Sequence, residues 1–282
     1  MLRETDNDQR EIRTPSKASV STSTLKITRI THSCTLIDVG GSVLLADPWF
    51  SEKFGYHRGE ALGMRPADLP PLAGVLVSHA HYDHDDVKAI AGSIDDAVPF
   101  LVEGGAVESA RKAGFTNVRA LAPWESASLG AFTITATPGK HAVAEIGFVV
   151  QADGFTVYFG GDTLAIPELS EIPKRFPNID VALLPINGLS VFGKQVAMNP
   201  DEAAQLCATL GVATAIPTHY AFNGGVTDLV MLKYYAKQDE LPDLFRDALK
   251  QYAPATRPVV LQPGGTFMLD SSEQSGSSAN AG

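Results

Sequence analysis

The segment Ser78–Asp86 reads SHAHYDHDD and holds three of the chain's seven histidines together with three aspartates. It follows directly on the apolar run GVLV, Gly74–Val77. A solvated charge run in a turn after a strand is the simplest interpretation. Imidazole and carboxylate groups at this density are also typical metal ligands. The clustered residues alone are too few to complete the coordination of two metal ions. A metal site therefore predicts further His and Asp residues downstream, at the ends of other strands.

The downstream sequence supplies three isolated residues of these types. His141 in TPGKHAV, Asp162 in YFGGDT and His219 in AIPTHY each follow an apolar or β-branched run and a Gly or Pro. Within the cluster, the spacing H-x-H-x-D-H on a turn lets alternate side chains converge while the next pair turns to the other side. The pattern therefore predicts two half-sites that the three lone residues complete, and it leaves only His32 and His57 unused.

The order of these motifs resembles the metallo-β-lactamase fold superfamily of metallohydrolases. The shared series is H-x-H-x-D-H, a lone His, G-D-T with its Asp, and a final His after a strand. The stretches DPWF, LPINGL, MNPDEA and PTHY further resemble the branch that holds ascorbate-6-phosphate lactonase and the N-acyl-phosphatidylethanolamine-hydrolysing phospholipase D. The resemblance covers roughly Ile27 to Leu269 and implies a metal-dependent hydrolase.

The resemblance also implies two divalent metal ions held by seven residues. One ion is expected on His79, His81 and His141, the second on Asp83, His84 and His219, with Asp162 bridging both. Seven protein ligands for two ions leave positions for water, as in catalytic sites. Imidazole and carboxylate ligands without thiolate suit Zn²⁺ best, and such a set also accepts Mn²⁺ or Fe²⁺.

The expected chemistry is hydrolysis by a metal-bridging hydroxide, because two cations that share a solvent molecule lower its pKa toward neutrality. Asp83 is expected to orient this hydroxide as a catalytic residue. Two further catalytic candidates each have an alternative interpretation. His32 is a substrate contact or a hydrogen-bonded buried histidine, and Tyr220 is an oxyanion donor or a buried phenol satisfied elsewhere. Asp47 accepts a ring N–H from a ligand histidine or caps the turn before Pro48.

Net charge restricts the substrate class. The chain carries 22 Lys and Arg against 32 Asp and Glu, a formal net charge of −10. A field of this sign repels phosphate backbones, so no nucleic-acid partner is expected. We expect a small-molecule substrate with an ester, lactone or related acyl bond. The alternatives are a phosphodiesterase of the same fold, phospholipase D-like or nuclease, and a thioesterase of glyoxalase type.

Composition favours a cytoplasmic protein. Cys34 and Cys207 are the only cysteines and stand far apart, which predicts neither a disulfide nor a thiolate zinc site. No stretch approaches the roughly 20 uninterrupted apolar residues of a membrane-spanning helix, and the N-terminal segment lacks the apolar core of a secretory signal. No membrane insertion is expected, and the sequence leaves the oligomeric state open.

The elements that must position these residues are short strands interrupted by Gly, Pro and Asp. Predicted strands are LKITRI, TLIDVG, SVLLAD, GVLVS, PFLV, NVRAL, FTITATP, IGFVVQA, FTVYFGG, VALLPI, TAIPTH, PVVLQP and TFMLD. Strands, helix, strands and helix in succession predict an α/β fold of two mixed sheets packed face to face with helices outside, a four-layer αββα sandwich. Residues 25–270 are expected to form one hydrolase domain between disordered, polar segments at 1–24 and 271–282.

One helix has complete end signals, in MNPDEAAQLCATLG. Asn199 is the expected N-cap, Pro200 the first helical residue, Glu202 the partner in a capping box and Gly211 the stop. The apolar spacing makes Cys207 a packed core thiol rather than a nucleophile.

Other helices are predicted from apolar periodicity alone. They cover DVKAIAGSI, GAVESARKAG, IPELSEIPKRF and DLVMLKYYAKQDELPDLFRDALKQYA, the last broken near Pro242. In that last segment, Met231, Tyr234 and Tyr235 are expected to form a buried face.

Overall fold

The computed structural model describes residues 23–225 and 231–271. The disorder expected for 1–24 and 271–282 therefore lies almost wholly outside the described residues, and the extent of the domain stays a prediction. Within the described part of the chain, no helix has the length and hydropathy needed to cross a membrane.

The first sheet has seven strands, numbered in chain order throughout. Its first half is antiparallel and its second half, from the fourth strand in the spatial order, is parallel. In spatial order the strands are β19 (Thr266–Asp270), β1 (Thr24–Thr31), β2 (Cys34–Val39), β3 (Ser42–Ala46), β5 (Gly74–Val77), β6 (Phe100–Val102) and β7 (Val118–Ala120). All four residues of β5 are buried, as expected for a central parallel strand covered on both faces.

The second sheet repeats this arrangement, with one antiparallel and one parallel half. In spatial order its strands are β18 (Arg257–Pro258), β15 (Thr214–Thr218), β12 (Val181–Pro185), β11 (Phe155–Phe159), β10 (Ile146–Ala152), β9 (Phe132–Pro138) and β8 (Ser126–Leu129). Two small sheets complete the strands. One joins β14 (Lys194–Gln195), β13 (Ser190–Val191) and β17 (Leu232–Lys233), and the other joins β16 (Phe222–Asn223) to β4 (His57–Arg58).

Three apolar clusters separate four layers. Ile27 of the first sheet packs with Phe148 of the second in the cluster between the sheets. The outer face of the second sheet packs against three helices, α2 (Ile172–Arg175), α3 (Pro200–Leu210) and α4 (Leu241–Tyr252). The outer face of the first sheet packs against α1 (Val107–Lys112). The predicted αββα sandwich is confirmed.

Helix α3 has the ends that its sequence predicts. The side chain of Asn199 accepts from the Glu202 N–H at 3.0 Å, and the Glu202 carboxylate accepts from the Asn199 N–H at 2.9 Å. Gly211 ends the helix in the left-handed region at φ 65°, which glycine adopts without steric cost. Cys207 is buried on the apolar face, as predicted.

The helix predicted over DVKAIAGSI is wrong. Only a single 3₁₀ turn forms there, Val87–Ala89, and Asp86 does not cap it. The Asp86 carboxylate accepts instead from the N–H groups of Phe50 and Ser51, at 2.9 and 2.7 Å. The side chain that would have started a helix therefore anchors the loop after β3.

The long helix predicted across 228–253 is also wrong in its first half. Among the described residues of this segment, only Leu241–Tyr252 is helical, with Pro242 in its first turn. From Met231 to Lys237 exposed and half-buried residues alternate, which is a period of two. Met231 and Tyr235 are 38% and 49% exposed, so the expected buried face does not exist. Leu232 and Lys233 instead pair with β13.

Candidate metal centre

The candidate ligands lie where strands of both sheets end. His79 follows β5, His141 follows β9, Asp162 follows β11 and His219 follows β15. The two sheets pack face to face, so these strand ends meet along one edge of the sandwich. All are buried or nearly so, although each side chain is polar.

Three histidines form the first group of ligand atoms. His79 Nε2 lies 3.0 Å from His81 Nδ1, and His81 Nδ1 lies 3.1 Å from His141 Nε2. Three ring nitrogens at these separations suit a single cation that all three bind.

A second group lies beside it. Asp83 Oδ2 is 3.7 Å from His84 Nε2 and 3.8 Å from His219 Nε2. These three atoms also lie close enough together to bind one ion.

Asp162 lies between the two groups. Its Oδ2 is 2.7 Å from His219 Nε2 and 3.1 Å from His84 Nε2, on the side of the second group. The same oxygen is 3.7 Å from His79 Nε2 and 3.8 Å from His141 Nε2, on the side of the first. The structure thus brings all seven candidate ligands together, with one carboxylate oxygen within reach of both groups.

The hydrogen bonds of each histidine ring determine which of its two nitrogens is available to bind a metal. His84 Nδ1 lies 2.6 Å from Asp47 Oδ2, and His141 Nδ1 lies 2.7 Å from the Val196 carbonyl oxygen. Both partners can only accept, so each Nδ1 carries a hydrogen, and in the neutral ring the lone pair lies on Nε2. Asp47 therefore acts as the carboxylate that orients a candidate ligand.

Ser78 extends this network to His79. Its hydroxyl donates to Asp47 Oδ2 at 2.7 Å, and its oxygen lies 2.9 Å from His79 Nδ1. The hydroxyl hydrogen is already used, so the oxygen accepts from His79 Nδ1–H and leaves the Nε2 lone pair free. Buried Glu145 accepts from the Asp162 N–H on the other side of the site.

This donor set fits divalent metal ions. His84 Nε2 and Asp162 Oδ1 are buried and have no hydrogen-bond partner within the described part of the chain. Burial lowers the pKa of His141 to about 4, which keeps its ring neutral with a lone pair available. Although burial opposes it, the imidazoles of His219 and His84 hold the pKa of Asp162 well below its usual range. Burial also lowers the pKa of His79 and His81. Although burial opposes it, the Asp162 carboxylate raises the pKa of His84 and His219. A metal ion would bind those two rings in their neutral form, so its binding would release a hydrogen from each.

His32 has the opposite tautomer. Its fully buried ring accepts the Ala221 N–H at Nδ1, over 3.2 Å, so its hydrogen sits on Nε2. That Nε2 lies 3.5 Å from Asp83 Oδ2. His32 therefore directs a hydrogen toward Asp83 and offers no lone pair to an ion. Of its two interpretations, the structure matches the hydrogen-bonded buried histidine.

A buried ion pair holds the turn that carries His32. Arg29 donates to the Glu60 carboxylate at 2.9 Å, and the same carboxylate accepts the His32 N–H at 2.8 Å. Arg29 is buried and Glu60 nearly so. The pair supports a backbone that is left-handed at His32, with φ 49°, a conformation that is uncommon outside glycine.

We expect Glu60→Ala to lower the free energy of unfolding by about 3–5 kcal/mol, because it leaves the Arg29 guanidinium buried without its anion. Urea denaturation measures the loss. The matched control is Glu108→Ala, which breaks the exposed Lys112–Glu108 pair of 2.7 Å and should cost less than about 1 kcal/mol. Equal losses of unfolding free energy in the two variants would show that the buried Arg29–Glu60 pair stabilises the protein no more than an exposed pair does.

A cavity of about 230 Å³ opens onto the two groups of ligand atoms. Its polar walls are His81, Asp83, His141, Asp162 and His219. Its remaining described walls are Tyr56, Ala142, Leu189, Val191, Val196, Phe222 and Leu232. The segment after β12 contributes Leu189 and Val191 to these walls, whereas Phe192 next to them is 74% exposed and does not line the cavity.

Tyr220 lies away from this cavity. Its ring packs under the Arg29 guanidinium, 4.6 Å from the ring centroid, and it belongs to the core beside the helices. His219 has φ 54°, so the chain turns sharply between the two residues. Adjacency to His219 in the sequence therefore does not place Tyr220 at the site, and the oxyanion-donor interpretation has no geometric support.

Tyr56 is the phenol that lines the cavity, and sequence reasoning missed it. Burial and the nearby Asp83 carboxylate raise the pKa of Tyr56, so its hydroxyl keeps its hydrogen. The ring packs edge-on against Phe222, with centroids 5.5 Å apart. No motif marks it in the sequence, because its position depends on the pairing of β4 with β16.

Comparisons with known proteins agree with the fold and indicate a metal-dependent hydrolase. The sequence profile of the beta-lactamase superfamily domain matches residues 43–220. A metal-dependent hydrolase of Nitratidesulfovibrio vulgaris is 30% identical over 264 residues, 88% of this chain and 98% of the relative. An uncharacterized protein of Mycobacterium tuberculosis is 27% identical over 219 residues, 70% of this chain, and the match spans only 59% of that relative's length. The solved structure of a metallo hydrolase from Ignicoccus hospitalis has a TM-score of 0.68 at 23% identity and covers 87% of this chain and 98% of its own, a likeness in fold.

Proposed function

Because the chain belongs to the metallo-β-lactamase superfamily of metal-dependent hydrolases, we propose that it is a hydrolase with two divalent metal ions. We propose that the bond it cleaves is a small ester, lactone or related acyl bond. The observation that carries the proposal is the position of Asp162 Oδ2, within 3.8 Å of ligand nitrogens in both groups. Bound there, two cations would lower the pKa of a shared water and polarise the substrate oxygen. Hydrolysis adds the water's O–H to the acyl carbon and its remaining hydrogen to the leaving oxygen.

The residues of the chain divide this task. Asp83 lines the cavity and carries the carboxylate that accepts the water's proton and passes it to the leaving oxygen. His32 directs its Nε2 hydrogen toward that carboxylate from 3.5 Å. Tyr56, at the cavity wall, donates to the oxygen of the substrate. Asp47 and Ser78 keep the rings of His84 and His79 in the tautomers that bind metal.

We propose zinc as the metal and the cytoplasm as the compartment. The seven candidate ligands include five imidazoles and two carboxylates, a set that favours zinc over the harder cations. Cys34 and Cys207 are both free and buried, and burial raises the pKa of Cys207 to about 12. Two inert, unpaired thiols agree with a reducing compartment.

A phosphodiesterase or a glyoxalase-type thioesterase of the same fold has weaker support. Either substrate carries phosphate or carboxylate groups that need Lys or Arg partners. None of the described residues at the cavity wall is Lys or Arg.

We expect the holoenzyme to hydrolyse small esters or lactones, and to cleave RNA and DNA negligibly. KM for a neutral substrate should change little between low and physiological salt, because no counterions are released. The experiment is a panel of ester, lactone, phosphodiester and thioester substrates, run on chelator-stripped protein reloaded with Zn²⁺, Mn²⁺ or Fe²⁺. A nucleic acid that is a better substrate than every small molecule, with KM rising steeply in salt, would contradict the proposal.

A further inference from the structure

The walls of the cavity above the candidate ligands are apolar. Leu189 and Val191 form one wall, and Leu232, which pairs with Val191 across β13 and β17, extends it. Val196 and Phe222 complete the described apolar surface. Every one of these side chains is buried or half-buried, so a bound group would replace water on aliphatic and aromatic carbon.

Charge is absent from these walls. Apart from Asp83 and Asp162, the described lining residues include no Asp, Glu, Lys or Arg. Lys140 and Lys194 are exposed. Arg58, which pairs with Phe222 across β4 and β16, does not line the cavity and lies 3.6 Å from the Glu52 carboxylate. An anionic substituent against these apolar walls, away from the candidate metal ligands, would lose its hydration and gain no Lys or Arg partner, which costs several kcal/mol.

One further hydrogen-bonding side chain faces the cavity. Tyr56 is the one described wall residue, outside the candidate ligands, that carries a polar side-chain group. A substrate that fits this surface has an apolar body and few hydrogen-bonding atoms beyond the bond that is cut. At about 230 Å³ the cavity is smaller than the roughly 300–1,000 Å³ of pockets for drug-sized ligands, so that body is short.

We propose that the substrate is an uncharged acyl compound whose short apolar substituent fills this cavity. The inference rests on the proposed function and names its substrate class. It excludes phosphorylated and carboxylated substrates for this site, because the selectivity lies in the aliphatic wall of Leu189, Val191 and Leu232.

Two para-nitrophenyl esters of the same shape test the proposal on the metal-loaded enzyme. Isocaproate ends in an isopropyl group where hemisuccinate has a carboxylate of nearly equal size. After subtraction of the rate with metal-free protein, kcat/KM should favour isocaproate by on the order of 100-fold. Across acetate, propanoate and butanoate, kcat/KM should rise about fourfold per methylene.

A substitution in the wall should reverse the preference. Val191→Lys places an ammonium in the cavity, and Val191→Met adds a side chain of similar length without charge. We expect the ratio of hemisuccinate to isocaproate turnover to rise about tenfold or more in Val191→Lys. The same ratio should stay near the wild-type value in Val191→Met, so the two variants distinguish an effect of the added charge from an effect of side-chain size.

A binding measurement tests the substrate class separately from the hydrolysis reaction. Calorimetric titration of metal-free protein with isocaproamide should show binding, titration with succinamate none, and Val191→Lys should invert the order. Ester turnover without preference for isocaproate would overturn the substrate class and leave the hydrolase proposal intact. Selective amide binding without turnover of any ester would support the substrate class and overturn the reaction. Equal binding of both amides would also overturn the inference.

Discussion

Replacement of Asp162 by alanine is expected to remove at least one of two bound metal ions and to lower kcat/KM by about 10³-fold. Asp162 Oδ2 lies 2.7 Å from His219 Nε2 and 3.7 Å from His79 Nε2, so it serves both groups of ligand atoms. Without it, each group is left with three imidazole or carboxylate donors and nothing holds two cations near one another. Elemental analysis of the purified protein, beside steady-state kinetics, measures both effects.

The control is Asp153→Ala, which removes an exposed aspartate from the turn at the opposite end of β11. It should retain full metal content and activity. One tightly bound ion in the wild-type protein, with the same content in Asp162→Ala, would rule out the dinuclear site.

Asp83→Asn should lower kcat by about 10²–10⁴-fold with little change in KM. The asparagine keeps the shape of the side chain but cannot accept and return the proton, a task that matters in the transition state. Its amide oxygen can still face the metal, so metal content should fall less than in Asp162→Ala. An unchanged kcat would show that another group handles the proton.

His32 provides an internal check on this assignment. Its Nε2 lies 3.5 Å from Asp83 Oδ2 and it does not line the cavity. His32→Ala should reduce kcat about 10–100-fold, yet His32→Ala combined with Asp83→Asn should be no worse than Asp83→Asn alone. Additive losses in the double variant would mean that His32 acts on the substrate directly.

The candidate ligands could be predicted from sequence because each has the same local signal. His79, Asp162 and His219 follow apolar strands, and packed sheets bring such strand ends to one edge. The sandwich followed from the same strands. The sequence pattern indicated a set of residues, and their assignment to two ions came from the resemblance to a known superfamily. The structure brings His79, His81 and His141 together, and it places His32 beside Asp83, His84 and His219. The assignment of each ligand to an ion stays a prediction.

The cavity walls could not be predicted in the same way. Tyr56, Val191 and Leu232 lie in two-residue strands or loops whose positions depend on pairing between distant segments. Tyr220 follows His219 in the sequence and was one candidate for an oxyanion donor, but the chain turns at His219, where φ is positive, and the Tyr220 ring lies in the core beside the helices. Sequence adjacency indicates which residues are near a site and not which way their side chains point.

The helix predicted across 228–253 does not form in 231–240, the described part of its first half, for a related reason. Apolar residues at Met231, Tyr234 and Tyr235 match a helical spacing, yet this part of the chain alternates in exposure and joins β13 through Leu232. A short apolar segment fits both the helical period and the period of two of a strand, and the element that it packs against decides which one forms. Here the partner is the strand that forms the wall of the cavity.

Three residues at the site, His32, Asp47 and His219, have φ angles of 49°, 47° and 54°. Such a backbone in non-glycine residues costs of order 1–3 kcal/mol each, and glycine would release it. Selection for stability alone would therefore favour glycine or asparagine at these positions, against the need for their side chains. In descendants that no longer hydrolyse anything, these three positions should be among the first to drift, so their identity in a related sequence indicates whether its catalytic function has been maintained over evolution.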